Sequence, residues 1–417
     1  MANTSDYNGL APGAFEALSD TATELAFDRS EYLDRIRRVR ALMAEAKIDV
    51  LYVTTPDHVA WLHGYYASWY KANAPMRYPQ LYGSVIHVDH DDFIHFDNPT
   101  ELPVLAKCSI STDNRFFKSR EASVNLPFIM GELKAKGWLN GTVGMEYWSY
   151  VPNRAISTML EGAFLAEGTR VVDASAILRR ARRVKSPAEI ATIEQATRFA
   201  EIGIETIRRE LRPGMTELEL FGLTTAAMMK AGSEFPALIP IFNAVPVRDG
   251  RPVSSGHSMA GRKVIQAGEF LTADLCGVHN RYHSNIMRGF LLGEPTRDML
   301  DMYGKAAGVF DLFRNEVKAG MTVREVNTLI RRYLAEVGLL DGAGWVLGYE
   351  LGLSLPPDWV GDFYFHYQDD KYLDRVFEEN MVTNLESLFN TWLIDTLVYE
   401  KDGARVLSKV PLELIVV

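Results

Sequence analysis

The feature that most constrains this chain is a tripeptide that occurs twice. Gly214-Met215-Thr216 returns as Gly320-Met321-Thr322, 106 residues further on. Each threonine is followed three places later by a glutamate, Glu219 or Glu325. Each copy then runs as an apolar-periodic stretch to a glycine, Gly232 or Gly338, again 106 apart. Thr-x-x-Glu ahead of an apolar run is a capping box, in which the hydroxyl and the carboxylate each satisfy a free helix amide. One such box says little. Two in register, with matching helix stops, predict two related halves packed about a pseudo-two-fold axis. Each half is expected to run helix, Gly-Met-Thr turn, helix, then strands. That gives a curved antiparallel sheet with helices outside and a concave side free for a site.

Upstream the pattern differs. Ser30 is expected to cap a helix through Lys47, with Leu33, Ile36, Val39, Leu42 and Met43 at helical spacing. A β-branched run at 48–55 reads as a buried strand, 84–98 as two strands around the turn Asp89–Asp92, and 142–150 as a strand before a helix. These elements predict a mixed α/β domain over residues 1–178, followed by a second domain over 179–417. The basic stretch from Leu178 to Lys185 then belongs to the junction. Ser186, Pro187 and Glu189 supply a helix start there.

Composition narrows the function classes. The 417 residues hold 44 Lys+Arg and 54 Asp+Glu, a net charge of −10, which disfavours nucleic acid as a partner. The apolar fraction of 47% supports a packed core, and no run approaches the length of a membrane span. The N-terminus lacks the basic and apolar regions of a secretory signal. Two cysteines, Cys108 and Cys276, make no disulfide framework and no zinc ribbon. A cytoplasmic enzyme or binding protein is expected.

Four strand-like segments of the second domain carry the chemistry, at 253–264, 270–290, 345–359 and 379–403. With the Gly-Met-Thr turns, Lys185-Ser186-Pro187-Ala188-Glu189-Ile190 and Glu400-Lys401-Asp402-Gly403, they resemble the pita-bread-fold superfamily of creatinase, aminopeptidase P and prolidase. The resemblance covers nearly the whole chain. It implies an α+β fold: a creatinase-like α/β N-terminal domain and an internally duplicated C-terminal pita-bread domain.

The metallopeptidases of that superfamily hold two divalent metals with two Asp, one His and two Glu. Carried over position by position, the first aspartate matches Asp274 and the second matches Asn285. The histidine matches Tyr349, the first glutamate Glu386 and the second Ile394. Asparagine is a neutral, weaker ligand, a phenol is protonated near pH 7, and isoleucine has no donor. Bridging carboxylates are what offset two divalent charges, so a metal-free branch without cofactor is expected. A rival metal site would combine His279 and His283 with Asp274, although the segment reads as a hairpin turn, where histidines are usually exposed.

His257, followed by Gly261-Arg262-Lys263-Val264, resembles the creatinase segment whose histidine is the general acid/base. Imidazole suits transfer in both directions near neutrality. Asp274 and Glu386 would then hold a substrate cation, with Tyr349, Asn285, Met287 and Arg288 around it. Creatinase clamps its guanidinium with a second glutamate where this chain has Met287, so creatine itself is not implied. In creatinase-like dimers an N-terminal loop brings an arginine to the substrate carboxylate in the partner's site; Arg77 is the match. Trp69, Tyr70 and Tyr78 beside it could enclose a cation by cation–π contact or pack a dimer interface. The expectation is a metal-independent hydrolase that opens a C–N bond in a small zwitterionic amidine or guanidino osmolyte, as a homodimer. A lyase acting on a dimethylsulfoniopropionate-like sulfonium and a non-catalytic binding module are the alternatives.

Overall fold

The computed structural model describes residues 24–67, 81–253, 256–357, 359 and 361–417. The chain divides into two compact units between Arg182 and Arg183. Arg179, the expected start of the second domain, lies inside the helix Ser175–Arg183 and within the first unit.

In the first unit, α1 (Arg29–Ala46) buries Tyr32, Ile36, Val39 and Met43 on one face. Its N-cap is Asp28, not Ser30, and it ends at Lys47 in the left-handed region with φ 56°. There follow β1 (Val50–Val53), α2 (Pro56–His63), β2 (Gly83–His87), β3 (Phe93–Asp97), α3 (Leu102–Cys108), β4 (Asn114–Phe116), α4 (Ala122–Ala135), β5 (Thr142–Met145), α5 (Arg154–Ala166), β6 (Arg170–Asp173) and α6 (Ser175–Arg183). The strands form one sheet in the order β4-β3-β2-β1-β5-β6. β1, β2 and β3 are an antiparallel meander, and β5 and β6 extend it in parallel. The core joins strand residues Val50, Tyr52, Val85, Ile94, Phe96 and Val143 to Ile129, Leu133, Leu160 and Phe164 of the helices. Burying each large apolar side chain contributes on the order of 1.5–3 kcal/mol.

The second unit opens with α7 (Pro187–Glu210), where Ser186 and Glu189 form the expected capping box. Glu189 also accepts the Tyr282 hydroxyl at 2.7 Å. Then come α8 (Glu217–Lys230), β7 (Phe242–Arg248), β8 (Arg251–Pro252), β9 (Glu269–Leu275), β10 (Val278–His279), β11 (Tyr282–His283) and β12 (Ile286–Leu291). The second half has α9 (Arg297–Glu316), α10 (Val323–Glu336), β13 (Trp345–Tyr349), β14 (Tyr364–His366), β15 (Val382–Leu388), β16 (Leu393–Tyr399), β17 (Ala404–Val406) and β18 (Ile415–Val416).

The two halves repeat down to single hydrogen bonds. Thr216 and Thr322 both close capping boxes, with Glu219 and Glu325. Gly214 and Gly320 have φ of 94° and 95°, a left-handed conformation that costs glycine little. The Gly214 amide donates to Ile265 O at 2.9 Å, and the Gly320 amide donates to Phe377 O at 2.8 Å. The main sheet runs β14-β13-β15-β16-β12-β9-β7-β8, so the halves join where β16 pairs β12. Strand alternation sorts its residues. Leu385, Leu393, Leu397, Val346 and Phe365 pack with Val309, Phe310, Phe313, Val326 and Ile330 of α9 and α10. Asn384, Glu386, Leu388 and Ile394 alternate with these residues and point to the other face.

Candidate active site

The site is a row across five neighbouring strands. Asp274 on β9 is opposite Met287 on β12, Met287 is opposite Ile394 on β16, and Ile394 is opposite Glu386 on β15. Leu347, two residues before Tyr349 on β13, is opposite Glu386. These side chains share the sheet face away from the helices, which brings together Asp274, Asn285, Met287, Tyr349 and Glu386.

Neutral amides join the two carboxylates. Asn285 Nδ2 donates to Asp274 Oδ1 at 2.5 Å. Asn384 Nδ2 donates to Asn285 Oδ1 at 3.1 Å and to Glu386 Oε1 at 3.0 Å. The Tyr349 amide donates to Asn384 Oδ1 at 2.9 Å. The Trp345 and Tyr349 side chains also favour the ionised form of Glu386. Met287, Ile394 and Leu388 form a small buried cluster, flanked by Ile241 and Trp392. The Trp359 ring lies 5.2 Å from that of Tyr349.

Burial dominates the electrostatics. It pushes the Asp274 carboxyl up to about 7, aided by the Glu386 charge and opposed by the Asn285 bond. Burial also pushes Glu386 up to about 7, against the opposing influence of Trp345, Asn384 and Tyr349. The Tyr349 phenol is held well above its usual range by burial and by the same two carboxylates, so it stays protonated. The linkage follows. Unfolded, these carboxyls titrate near 3.8 and 4.5. The folded chain keeps protons that the unfolded chain has released, so the pair's contribution is full below about pH 4. It is lost as pH rises through about 7. Urea unfolding at pH 5 and pH 8 should show a larger loss of stability for the wild type than for Asp274→Asn. Equal losses would show that Asp274 titrates as an ordinary carboxylate.

Two sequence expectations are corrected. Arg288 does not face a substrate, because it lies on the other side of β12 from Met287 and is fully buried. Its donors go to Met287 O, Ile394 O, Pro411 O, Val410 O and the Asp395 carboxylate, the last at 2.7 Å. The hairpin β10–β11 turns, as expected, through Asn280 and Arg281 at positive φ, but His283 is buried rather than exposed. Its Nε2 accepts the Ala237 amide at 2.8 Å and its Nδ1 faces Arg281 O at 2.9 Å. Both ring nitrogens are engaged, and burial pushes the imidazole down to about 3. His283 thus offers no free nitrogen to a metal.

His257 is exposed, on the loop after β8. The carbonyl of its neighbour Ser258 accepts the Phe242 amide at 2.9 Å, and Phe242 is opposite Ala273, the residue before Asp274. Arg77, Trp69, Tyr70 and Tyr78 lie outside the described residues. Sequence reasoning missed Asn384, Trp345 and Trp359. Alternation could have flagged Asn384, which sits two residues before Glu386 on one strand and so shares its face.

A two-metal centre of the kind the resemblance implies does not fit these residues. Asp274 and Glu386 keep carboxylates, but Asn285 Oδ1 is taken by Asn384. Tyr349 holds its proton, and Ile394 presents methyl groups inside an apolar cluster. Among the described residues, no three or more His, Cys, Asp and Glu side chains are grouped to hold a metal ion.

Comparison with known proteins matches this architecture. The Metallopeptidase family M24 pattern covers residues 191–408, and that of the Creatinase/Prolidase N-terminal domain covers 35–184. An ectoine hydrolase of Halomonas elongata is 24% identical over 351 residues, 80% of this chain and 84% of the relative. A Xaa-Pro dipeptidase of Pyrococcus horikoshii is 25% identical over 283 residues, 66% of this chain and 76% of the relative. The solved structure of a Xaa-Pro dipeptidase from Bacillus anthracis superimposes with a TM-score of 0.73 at 21% identity, covering 93% of this chain and all of the other. The chain therefore belongs to metallopeptidase family M24, as a two-domain member with a creatinase/prolidase N-terminal domain and a pita-bread C-terminal domain.

Proposed function

We propose that this chain is a metal-independent hydrolase that opens a C–N bond of a small zwitterion with an amidine or guanidino cation. One observation carries this reading. Two buried carboxylates, Asp274 and Glu386, are joined by amides and walled by Met287, Leu388 and Ile394, where the family's peptidases would need five metal donors. Desolvated carboxylates favour an organic cation as their partner, and the similarity to an ectoine hydrolase supports a small nitrogenous substrate.

In this mechanism Asp274 and Glu386 hold the cation, and the Tyr349 hydroxyl donates a hydrogen bond to the substrate. His257 takes a proton from water as the water oxygen bonds to the amidine carbon. The imidazolium then returns that proton to the leaving nitrogen as the C–N bond breaks. An amidine gives an amide and an amine, and a guanidino group gives a urea and an amine. In the same reading two copies pair, and Arg77 with Trp69, Tyr70 and Tyr78 completes the neighbour's site around the substrate carboxylate.

The Xaa-Pro dipeptidase relatives, at 25% identity, favour a second reading as a peptidase. The donor set described above weighs against it. Turnover by metal-stripped protein, on ectoine, creatine and an Xaa-Pro dipeptide with products identified by mass spectrometry, tests the two readings against each other.

A further inference from the structure

We infer that Asn384 is a positioning residue of this site, and that with Asn285 it clamps the Asp274 and Glu386 carboxylates into one preformed cation receptor. The inference rests on the reading that these carboxylates bind a substrate cation. Asn384 is fully buried and both ends of its amide are used. The oxygen accepts the Tyr349 amide, and the nitrogen donates to Asn285 Oδ1 and Glu386 Oε1. Asn285 passes the same polarity on to Asp274.

The direction of this chain is fixed. Flipping Asn384 would set its oxygen against the Glu386 carboxylate and its nitrogen against the Tyr349 amide hydrogen. Flipping Asn285 would set its oxygen against Asp274. Each amide therefore has a single satisfied orientation, and both carboxylates are acceptors in it.

The backbone beneath is also pinned. Asn285 donates its amide to Thr396 Oγ1 at 2.8 Å, and that hydroxyl donates to Asn285 O at 3.1 Å. Thr396 is opposite Asn384 in the sheet. The clamp thus runs from the start of β12 across β16 to β15, two residues along from the Met287–Ile394 row. Two carboxyl groups held in register by neutral dipoles need no rearrangement when a cation arrives.

The test measures binding of acetamidinium, the simplest amidine cation, by titration calorimetry. The wild type should bind it and Glu386→Gln should not. Asn384→Leu, a donor-free residue of similar size, should bind it roughly 10–100-fold more weakly, the usual penalty for losing a partner that orients a ligand-binding group. Its near-UV circular dichroism should stay native. If Asn384→Leu does not fold, Asn384→Asp decides, because it keeps the shape and adds a charge. Charge counting alone predicts tighter acetamidinium binding by Asn384→Asp, whereas a broken clamp predicts weaker binding. Wild-type affinity or better in the folded Asn384 variants, with binding still lost in Glu386→Gln, would overturn the clamp and leave the cation site standing. No binding by the wild type would instead remove the cation reading itself.

Discussion

Replacing His257 by alanine is expected to lower kcat on an amidine substrate by roughly 10²–10⁴-fold, the usual contribution of a positioned acid/base. The same change should barely touch stability. His257 is exposed on a loop, and surface substitutions of that kind usually stay within about 0.5 kcal/mol. A large loss of turnover with an unchanged unfolding midpoint is thus the signature of a chemical role. Retained turnover would move the proton transfer to the buried carboxyls, whose raised values also suit acid/base work. Comparing His257→Ala with Asp274→Asn on one substrate separates these assignments.

The largest expected effect on stability lies behind the site. Arg288→Met should destabilise the chain by about 3–5 kcal/mol, the usual consequence of removing one partner of a buried ion pair. The loss leaves Asp395 buried without its cation and strips four carbonyls of their donor. Two of those carbonyls belong to Met287 and Ile394, whose side chains wall the site, so any folded variant should also bind ligand less well. Urea unfolding measures the effect, and a change below about 1 kcal/mol would mean that water replaces the guanidinium.

Much of this was legible in the sequence, for identifiable reasons. The duplication was, because capping boxes are local and their two copies share one spacing. That Asp274, Asn285, Tyr349 and Glu386 come together on one face of the sheet was legible by position. Arg288 was assigned to the wrong face, although it adjoins Met287 and a strand alternates its side chains. That assignment depends on knowing which neighbour faces the site, and a single strand does not reveal it. His283 could not be read as buried, because its burial comes from packing of the hairpin against α7, where Tyr282 meets Glu189. Asn384 has no motif of its own. Its role exists only once β12, β16 and β15 are side by side.

This chain is proposed to work without a bound metal. The most direct measurement is turnover of ectoine, creatine and an Xaa-Pro dipeptide by protein dialysed against a chelator, with metal content determined on the same sample. Metal-free protein should cleave a small amidine or guanidino compound, at a rate unchanged when manganese or zinc is added back. Stoichiometric metal, with cleavage of the dipeptide that disappears on chelation and returns with the ion, would contradict it.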